Sequence, residues 1–216
     1  MSAATAVVHA GVTLGDDVFL GAWVELGVAP RGSAPGEIST LIRGPAHIRS
    51  QTIVYAGVEI GHRFECGHAI IIREHSRIGD DVSIGSQSII EHHVTVGNLV
   101  RLHSGVFIPE YSVLESGCWI GPRVVFTNAK HPLSEGVKAR LIGPRIGQHA
   151  IIGANATLLP GITIGERAIV GAGAVVVADV APDAVVVGNP ARTVKTRSDI
   201  REYGAAAVEP DTEADR

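Results

Sequence analysis

The chain has 216 residues, a net charge of −4, and a composition that is 45% hydrophobic but only 4% aromatic. One sizeable domain fits this length, and its core must be built from Val, Ile, Leu and Ala rather than from large rings. The charge balance and the lack of any run of Lys and Arg exclude the electrostatic footprint of a protein that binds nucleic acid or an anionic membrane.

The N-terminal stretch MSAATAVVHAGVTLGDD has neither the basic region nor the uninterrupted apolar region of a secretory signal. No later stretch approaches the roughly eighteen apolar residues of a membrane-spanning helix. These features predict a cytoplasmic protein with no nucleic-acid and no membrane partner. A small molecule or another protein is the expected partner.

The first predicted element is a short series of apolar residues spaced six apart. It consists of Val8, Leu14, Leu20 and Leu26. This spacing fits neither a helix of 3.6 residues per turn nor a hairpin meander, but it fits short extended rungs separated by tight corners. The stretch VAPRGSAPGEIST, rich in Pro, Gly and Ser, then predicts an excursion loop near residues 28–41.

From Ile48 the repeat resumes in units of six: IRSQTI, VYAGVE, IGHRFE, CGHAII and so on to FTNAKH. The first and fifth letters are predicted to face the core, which makes Cys66 and Cys118 buried free thiols. Along the second letters, one unit in three never carries Gly. This pattern predicts three rungs per coil of eighteen residues, with one corner of the triangular section unlike the other two.

The repeat breaks at TNAKHP, residues 127–132, where Lys130 falls on an inward fifth letter. Because an ammonium group cannot occupy a narrow aliphatic core without heavy cost, the chain is expected to leave the coil and form a loop near residues 128–145. Counted against a coil of eighteen, the 22 residues from Leu26 to Ile48 exceed one coil by four. The 20 residues from Phe126 to Ile146 exceed it by two.

Further coils follow the loop, and the repeat ends near residue 195. Their first letters are Ile146, Ile152, Leu158, Ile164, Val170 and Val176. The stretch SDIREYGAAA predicts a short helix capped by Ser198, and the acidic tail VEPDTEADR is expected to be mobile. The predicted organisation is a β-helix domain over residues 1–195 and a C-terminal helix or tail over residues 196–216.

This repeat resembles the hexapeptide-repeat, or isoleucine patch, acyltransferases over roughly residues 8 to 195. The resemblance implies an all-β chain folded as a left-handed parallel β-helix and assembled as a homotrimer. It implies an acyl-CoA-dependent acyltransferase, with acetyl-CoA as the expected donor and no metal. The expected acceptor is the amine or hydroxyl of a sugar or nucleotide-linked amino sugar.

A column of titratable residues is predicted at the corner that lacks Gly. Its members are Glu74, His92, Glu110 and Asn128 on third letters, beside His75, His93 and Tyr111 on fourth letters. Residues eighteen apart stack at the rung spacing, so these side chains lie in line. The column is either a solvated charged face or a substrate-facing surface. We favour the second reading, with His92, Glu110 and Asn128 as acceptor-binding residues.

The segment at the break in the repeat resembles two different groups of transferases. His131-Pro132 is similar to the end of the Gly-His-Pro segment of maltose and galactoside O-acetyltransferases, which implies that His131 is the general base. Phe126-Thr127-Asn128 is similar to nucleotide-sugar N-acyltransferases, which implies that Asn128 contacts the acceptor. Ala129 and Leu133 stand where that branch has Asp and Arg, so amine and hydroxyl acceptors both stay open.

The donor site is predicted in the last coils, IIGANATLLPGITIGERAIVGAGAVVVADVAPDAVVVGNPARTVK, which resemble the family's coenzyme A site. Ala154 and Ala172 match the small residues along which pantetheine lies, and Arg192 and Lys195 match the basic pair near the nucleotide phosphates. A Thr-Lys pair of several relatives is replaced by Val177 and Ala178.

Two other functions are weighed against the transferase. The γ-type carbonic anhydrases use this fold with three His ligands on zinc. His68 and His103 have a suitable separation for such a set, but residue 108 is Ile. The other alternative is a non-catalytic trimeric scaffold, which gives no reason to keep GANAT, GAGAV and GNPAR in register with a basic pair.

Overall fold

A computed structural model describes residues 5–203 of the chain, and the predicted mobile tail lies outside this range. The described residues form three sheets that the chain visits in turn, called sheets 1, 2 and 3. Sheet 1 contains Val7–Val8, Glu25–Val28, Ile53–Tyr55, Ile71–Ile72, Ile89–Ile90, Phe107–Ile108, Val125–Phe126, Thr157–Leu158 and Val175–Val176.

The other two sheets are built in the same way. Sheet 2 contains Val12–Leu14, Thr40–Ile42, Glu59–Ile60, Arg77–Ile78, Thr95–Val96, Val113–Leu114, Arg145–Ile146 and Thr163–Ile164. Sheet 3 contains Val18–Leu20, Ala46–Ile48, Phe64–Cys66, Ser83–Ile84, Arg101–Leu102, Trp119–Ile120, Ile151–Ile152, Ile169–Val170, Ala184–Val187 and Arg192–Thr196. Only the pairing of the last two strands is antiparallel among the described strands.

The register confirms the predicted coil. Ile71 pairs with Ile89 and Ile89 with Phe107, each partner eighteen residues further along. Three rungs therefore complete one turn of a parallel β-helix, and successive coils are separated by about 4.8 Å.

The core is filled by the two letters that the sequence assigns to it. First letters such as Ile48 and Ile72, and fifth letters such as Val58, are fully buried. Cys66 and Cys118 are buried and unpaired as predicted. Burial raises the pKa of the Cys66 thiol and raises that of Cys118 to about 12. Lys130 is exposed, which agrees with its expected exit from the coil.

Glycine is needed at the second letter because the next coil packs too closely to leave room for a side chain, and not because the turn requires its backbone conformation. The left-handed backbone conformation falls on the fourth letter instead, where ordinary residues such as Asp81 and Gln87 have φ of 56° and 61°. A Cβ added at Gly85 would lie 2.3 Å from the backbone nitrogen of Ser104 in the next coil. Two of the three corners therefore require a second letter without a side chain along most of their length.

Each loop adds more residues to its coil than predicted. Val12 pairs with Thr40, 28 residues later and ten more than one coil, and Val113 pairs with Arg145, 32 residues later and fourteen more. The predicted excesses of four and two are wrong because the counted residues, such as Leu26 and Ile48, lie on different sheets. The second loop contains a 3₁₀-helix at Val137–Arg140.

Both loops leave sheet 1 and return to sheet 2. They therefore emerge from the same edge of the triangle, which we call corner 1–2. This is the corner whose second letters carry no Gly in the main repeat.

The C-terminal segment differs in detail from its prediction. In the described part of the predicted helix, two 3₁₀-helices, Arg197–Asp199 and Arg201–Tyr203, stand in place of a regular helix. Residues 204–207 of that prediction lie outside the described residues, and no α-helix occurs within residues 5–203. Ser198 is not the cap, because the last strand extends to Thr196, whose backbone N–H donates to Asp199 Oδ2 at 2.7 Å. The domain boundary at residue 195 stays a prediction. No helix of the described chain has the length and apolar character needed to cross a membrane.

Replacing Gly85 by Ala should destabilise the protein by about 1–3 kcal/mol, because the new methyl group meets the backbone of the next coil. Urea denaturation followed by circular dichroism measures this change. Ser83→Ala, on an outward position of the same strand, is the control and should unfold as the wild type does. Equal stability of both variants would contradict the role assigned to the second letter.

Candidate functional site

Side chains at successive coils of corner 1–2 lie in a line that we call the polar column: Glu74, His92, Glu110 and Asn128. Asn128 Nδ2 donates to Glu110 Oε2 at 2.6 Å, and Glu110 Oε1 lies 3.6 Å from His92 Nε2. The structure thus brings together the three residues that the sequence predicts to bind the acceptor. One oxygen of the Glu110 carboxylate accepts a hydrogen bond from the Asn128 amide, and the other faces the His92 imidazole.

The base of the polar column is completed by Arg73, which the sequence analysis did not single out. Its Nε and Nη2 donate to the two oxygens of Glu74 at 2.8 and 2.9 Å, and its Nη1 lies 3.5 Å from Glu91. Burial opposes ionisation of Glu74, but the hydrogen bond and charge of Arg73 outweigh it and lower the pKa. The available signal was the second letter, where Arg73 and Glu91 stand in place of Gly.

Glu91 behaves differently from Glu74. Burial raises the pKa of its carboxyl group, the Arg73 charge opposes that shift, and the nearby Glu110 carboxylate adds to it. Glu74 and Glu91, which both pair with Arg73, therefore differ in their affinity for a proton.

Polar residues on third letters at the other corners accept hydrogen bonds from the backbone. At the corner between sheets 2 and 3, the backbone N–H of His62 donates to Asp80 Oδ1 at 2.7 Å, and that of Asp80 donates to Asn98 Oδ1 at 2.9 Å. Those side chains satisfy the backbone of the neighbouring coil. In the polar column Asn128, Glu110 and Glu74 bond to other side chains instead, so this constellation is not explained by the needs of the corner.

A row of rings follows the polar column on the side of sheet 2. His75 and His93 lie 5.0 Å apart between ring centroids, and His93 and Tyr111 lie 5.6 Å apart. His92 Nδ1 and His93 Nδ1 are 2.9 Å apart and share one hydrogen bond. Burial lowers the pKa of His93, and His92 and His75 add to the effect.

The two loops bound the polar column and the ring row at both ends. The excursion loop returns at Thr40, one coil before Gly57, and the second loop begins after Asn128. The four coil spacings from Gly57 to this second loop amount to roughly 19 Å. The polar column and the ring row therefore lie along corner 1–2 between the two loops.

His131 lies on the second loop with an exposed side chain. Its backbone carbonyl accepts hydrogen bonds from the Ser134 N–H at 3.3 Å and the Ser134 hydroxyl at 2.8 Å. These bonds fix the turn and leave the imidazole unoriented among the described residues. Leu133, wholly exposed, follows in the left-handed region at φ 63°. The catalytic role of His131 stays a prediction.

The predicted donor residues lie at the C-terminal end of the coil. Ala154 and Ala172 stack on the corner between sheets 3 and 1, where the Ala154 carbonyl accepts from the Gly173 N–H at 2.8 Å. Arg192 and Lys195 lie exposed on the strand Arg192–Thr196 that ends sheet 3. The alanines and the polar column thus lie at the two corners of the triangle that border sheet 1. Their roles also stay predictions.

The two His residues of the carbonic-anhydrase alternative have other contacts. His68 Nδ1 lies 2.8 Å from Ser50 Oγ, and His103 packs on Trp119 with ring centroids 4.6 Å apart. Ile108 belongs to the core. Within residues 5–203, no three His, Cys, Asp or Glu side chains converge on a point that could hold a metal ion.

The family model described as bacterial transferase hexapeptide (six repeats) matches residues 75–110 and 143–178. Nodulation protein L of Rhizobium meliloti is 38% identical over 59% of this chain and 68% of its own length. A chloramphenicol acetyltransferase of Agrobacterium fabrum is 30% identical over 73% of this chain and 71% of its own. The chain belongs to the hexapeptide-repeat transferase family and is an acetyltransferase of that family.

A solved structure of similar fold is LpxA, a UDP-N-acetylglucosamine acyltransferase from Bacteroides fragilis. It has a TM-score of 0.59 and 18% identity, and the match covers 91% of this chain and 74% of LpxA. Together with the order of the three sheets, this match confirms the expected left-handed β-helix.

His93 of the ring row should make the stability of the protein depend on pH. Because the folded state favours neutral His93, the unfolded state binds more protons once the pH falls below the ordinary pKa of 6.5. The stabilisation from neutral His93 is therefore present at pH 7.5 and is lost as the pH falls to 5.5 and below. Urea denaturation at pH 7.5 and 5.5 should show a smaller loss of stability for His93→Asn than for the wild type. His131→Asn, on the exposed loop, is the control, and an equal loss in all three proteins would contradict the prediction.

Proposed function

We propose that the protein transfers the acetyl group of acetyl-CoA to a hydroxyl or amine of a sugar or nucleotide-linked sugar. The observation that carries this proposal is the polar column, in which Glu110 lies against both Asn128 and His92 at a corner bounded by two loops. The family membership supports the transfer of an acetyl group. Hydrogen-bonding groups held in fixed positions favour a small polar acceptor.

In the proposed reaction the acceptor oxygen or nitrogen attacks the thioester carbonyl of acetyl-CoA. A base takes the proton of the acceptor, the carbonyl oxygen carries the negative charge of the tetrahedral intermediate, and backbone N–H groups stabilise that charge. The C–S bond then breaks, and the sulfur leaves with a proton as the thiol of coenzyme A. The products are an acetyl ester or amide and free coenzyme A, and no metal is needed for these steps.

We assign the base to His131, on the resemblance of its segment and its position where the chain leaves the polar column. His92 is the second candidate, because Glu110 lies 3.6 Å from its Nε2 and can orient the ring. Imidazole suits either position since it titrates near working pH. Asn128 is proposed to contact the acceptor, next to the Glu110 carboxylate.

For the donor, we propose that pantetheine lies along Ala154 and Ala172 and that the phosphates lie near Arg192 and Lys195. The small side chains at the corner between sheets 3 and 1 leave the backbone amides open to pantetheine. The two basic residues are exposed at the end of sheet 3, which suits a long anionic ligand.

The homotrimer is supported by an apolar outer surface on sheet 1. Its outward residues are Ile53, Ile71, Ile89, Phe107 and Val125, whereas the corresponding residues of sheet 2 are Glu59, Arg77, Thr95, Val113 and Arg145. A continuous apolar stripe on a sheet face favours contact with a second copy. Because donor and acceptor residues flank this sheet, the proposed assembly completes each site from two subunits.

His131→Ala should lower kcat for a hydroxyl acceptor by about 10²- to 10⁴-fold, because the acceptor keeps its proton. Release of the coenzyme A thiol measures the rate. His47→Ala, on the outer face of sheet 3, should keep the wild-type rate. A wild-type kcat for His131→Ala together with a large loss for His92→Ala would transfer the role of base to His92.

Lys195→Ala should raise the KM for acetyl-CoA by about tenfold and leave kcat nearly unchanged, since a charge-assisted bond to a phosphate is lost from bound donor and transition state alike. Steady-state kinetics with varied acetyl-CoA measures both constants. Arg31→Ala removes a charge from the exposed excursion loop and serves as the control. An unchanged KM for Lys195→Ala would remove this residue from the donor site.

A further inference from the structure

A cavity of about 520 Å³ lies between the excursion loop and sheet 2. Ile38 and Ser39 of the loop form one wall, and the outward side chains of Glu59, Arg77 and Thr95 form the other. The volume falls within the range of about 300–1,000 Å³ that is typical of small-molecule sites. None of the residues proposed for the donor or the base lines it.

The floor of the cavity is the start of the ring row. Gly57 occupies the position that carries a ring in the next coils, and a Cβ there would lie 2.8 Å from His75 Nδ1. The missing side chain ends the row and opens the space beneath Ile38. At the other end of the cavity, His93 of the lining shares a hydrogen bond with His92 of the polar column, so the two sites are adjacent.

The loop wall is held in place by its own hydrogen bonds. The Ala34 N–H donates to Glu37 Oε2 at 2.8 Å. The Thr40 N–H donates to the Gly11 carbonyl at 2.9 Å, and its hydroxyl accepts from the Gly57 N–H at 3.2 Å. These bonds connect the loop to the coils on both sides, so the cavity is formed without a ligand.

The lining combines hydrogen-bond donors and acceptors without net charge. Arg77 Nε lies 3.8 Å from Glu59 Oε1, which compensates the one guanidinium among the described lining residues. Ser39 and Thr95 add hydroxyl groups. Burial and its His neighbours lower the pKa of His93, which favours the neutral imidazole with one donor and one acceptor nitrogen.

The lining residues disfavour two classes of ligand and favour a third. A nucleoside diphosphate requires several cationic or N–H donors around its phosphates, and the cavity offers one compensated guanidinium. An apolar chain requires an apolar lining, and only Ile38 is a large apolar residue here. A ligand that carries many neutral hydroxyl groups matches the mixture of carboxylate, guanidinium, imidazole and hydroxyl groups.

We propose that this cavity binds a neutral sugar unit of the acceptor, while the sugar unit that receives the acetyl group lies at the polar column. From the coil of His93 to that of Asn128 is two coil spacings, or about 10 Å, which a disaccharide can span. The excursion loop thereby selects a neutral di- or oligosaccharide over a nucleotide sugar. This inference rests on the proposed function and narrows its acceptor.

The test is a binding measurement on the full chain without acetyl-CoA, by calorimetry and saturation-transfer NMR. The probes are maltose, lactose and cellobiose, their component monosaccharides, and UDP-glucose. At least one disaccharide should bind tenfold or more tightly than its monosaccharides and more tightly than UDP-glucose. Thr95→Trp, which fills the cavity, should weaken that disaccharide at least tenfold and change monosaccharide binding less than twofold.

Thr163→Trp is the matched control, because Thr163 is an outward threonine of the same sheet outside the cavity. Ser39→Trp fills the cavity from the loop and replaces Thr95→Trp if that variant does not fold. The proposal is overturned if UDP-glucose binds most tightly, if no disaccharide binds more tightly than its monosaccharides, or if the filling variant and Thr163→Trp behave alike.

A parallel assay of coenzyme A release separates this inference from the proposed function. Disaccharide binding that depends on Thr95, without acetyl transfer to any hydroxyl or amine, would retain the subsite and overturn the transferase reaction. Acetyl transfer to another acceptor such as chloramphenicol, without disaccharide binding, would retain the transferase and overturn the subsite.

Discussion

The close parallel stacking of successive coils is the constraint on which the rest of the structure depends. A spacing of about 4.8 Å leaves no room for a Cβ at second letters such as Gly85, and it leaves only aliphatic, small or compact aromatic side chains such as Phe64 inside. Burying an ionised side chain in such a core would cost too much free energy. Chemistry is therefore confined to the outward letters of the corners and to the loops, and Lys130 marks the point at which the coil cannot continue.

Periodic features of this protein could be predicted from its sequence, and features set by a single contact could not. The coil length, the core letters and the alignment of His92, Glu110 and Asn128 all follow from repetition, which averages over many units. The predicted excesses of the two loops over one coil were wrong because a count along the chain does not say on which sheet each end lies. Arg73 was missed because its bidentate contact with the adjacent Glu74 occurs in a single coil and is not marked by the repeat. The orientation of His131 depends on a turn without a repeat.

The polar column also shows how one corner can serve a different purpose from the other two. Elsewhere, side chains such as Asp80 and Asn98 accept hydrogen bonds from backbone N–H groups and stabilise the turn. At corner 1–2 the side chains of Arg73, Glu74 and Glu110 bond to one another or to their neighbours. A ligand can replace one of these side chains as a hydrogen-bond partner while the backbone hydrogen bonds of the coil stay intact. Binding at this corner therefore lowers the stability of the fold little.

The position of both loops on one corner has a consequence for how this protein can change. In a solenoid each coil contacts only its neighbours, so an insertion at a corner leaves the pairing of distant coils intact. The excursion loop and the second loop are separated by several coils and share no strand. Residues 29–39 can accordingly be exchanged or lengthened to fit another acceptor while the core, the donor end and the opposite loop keep their geometry.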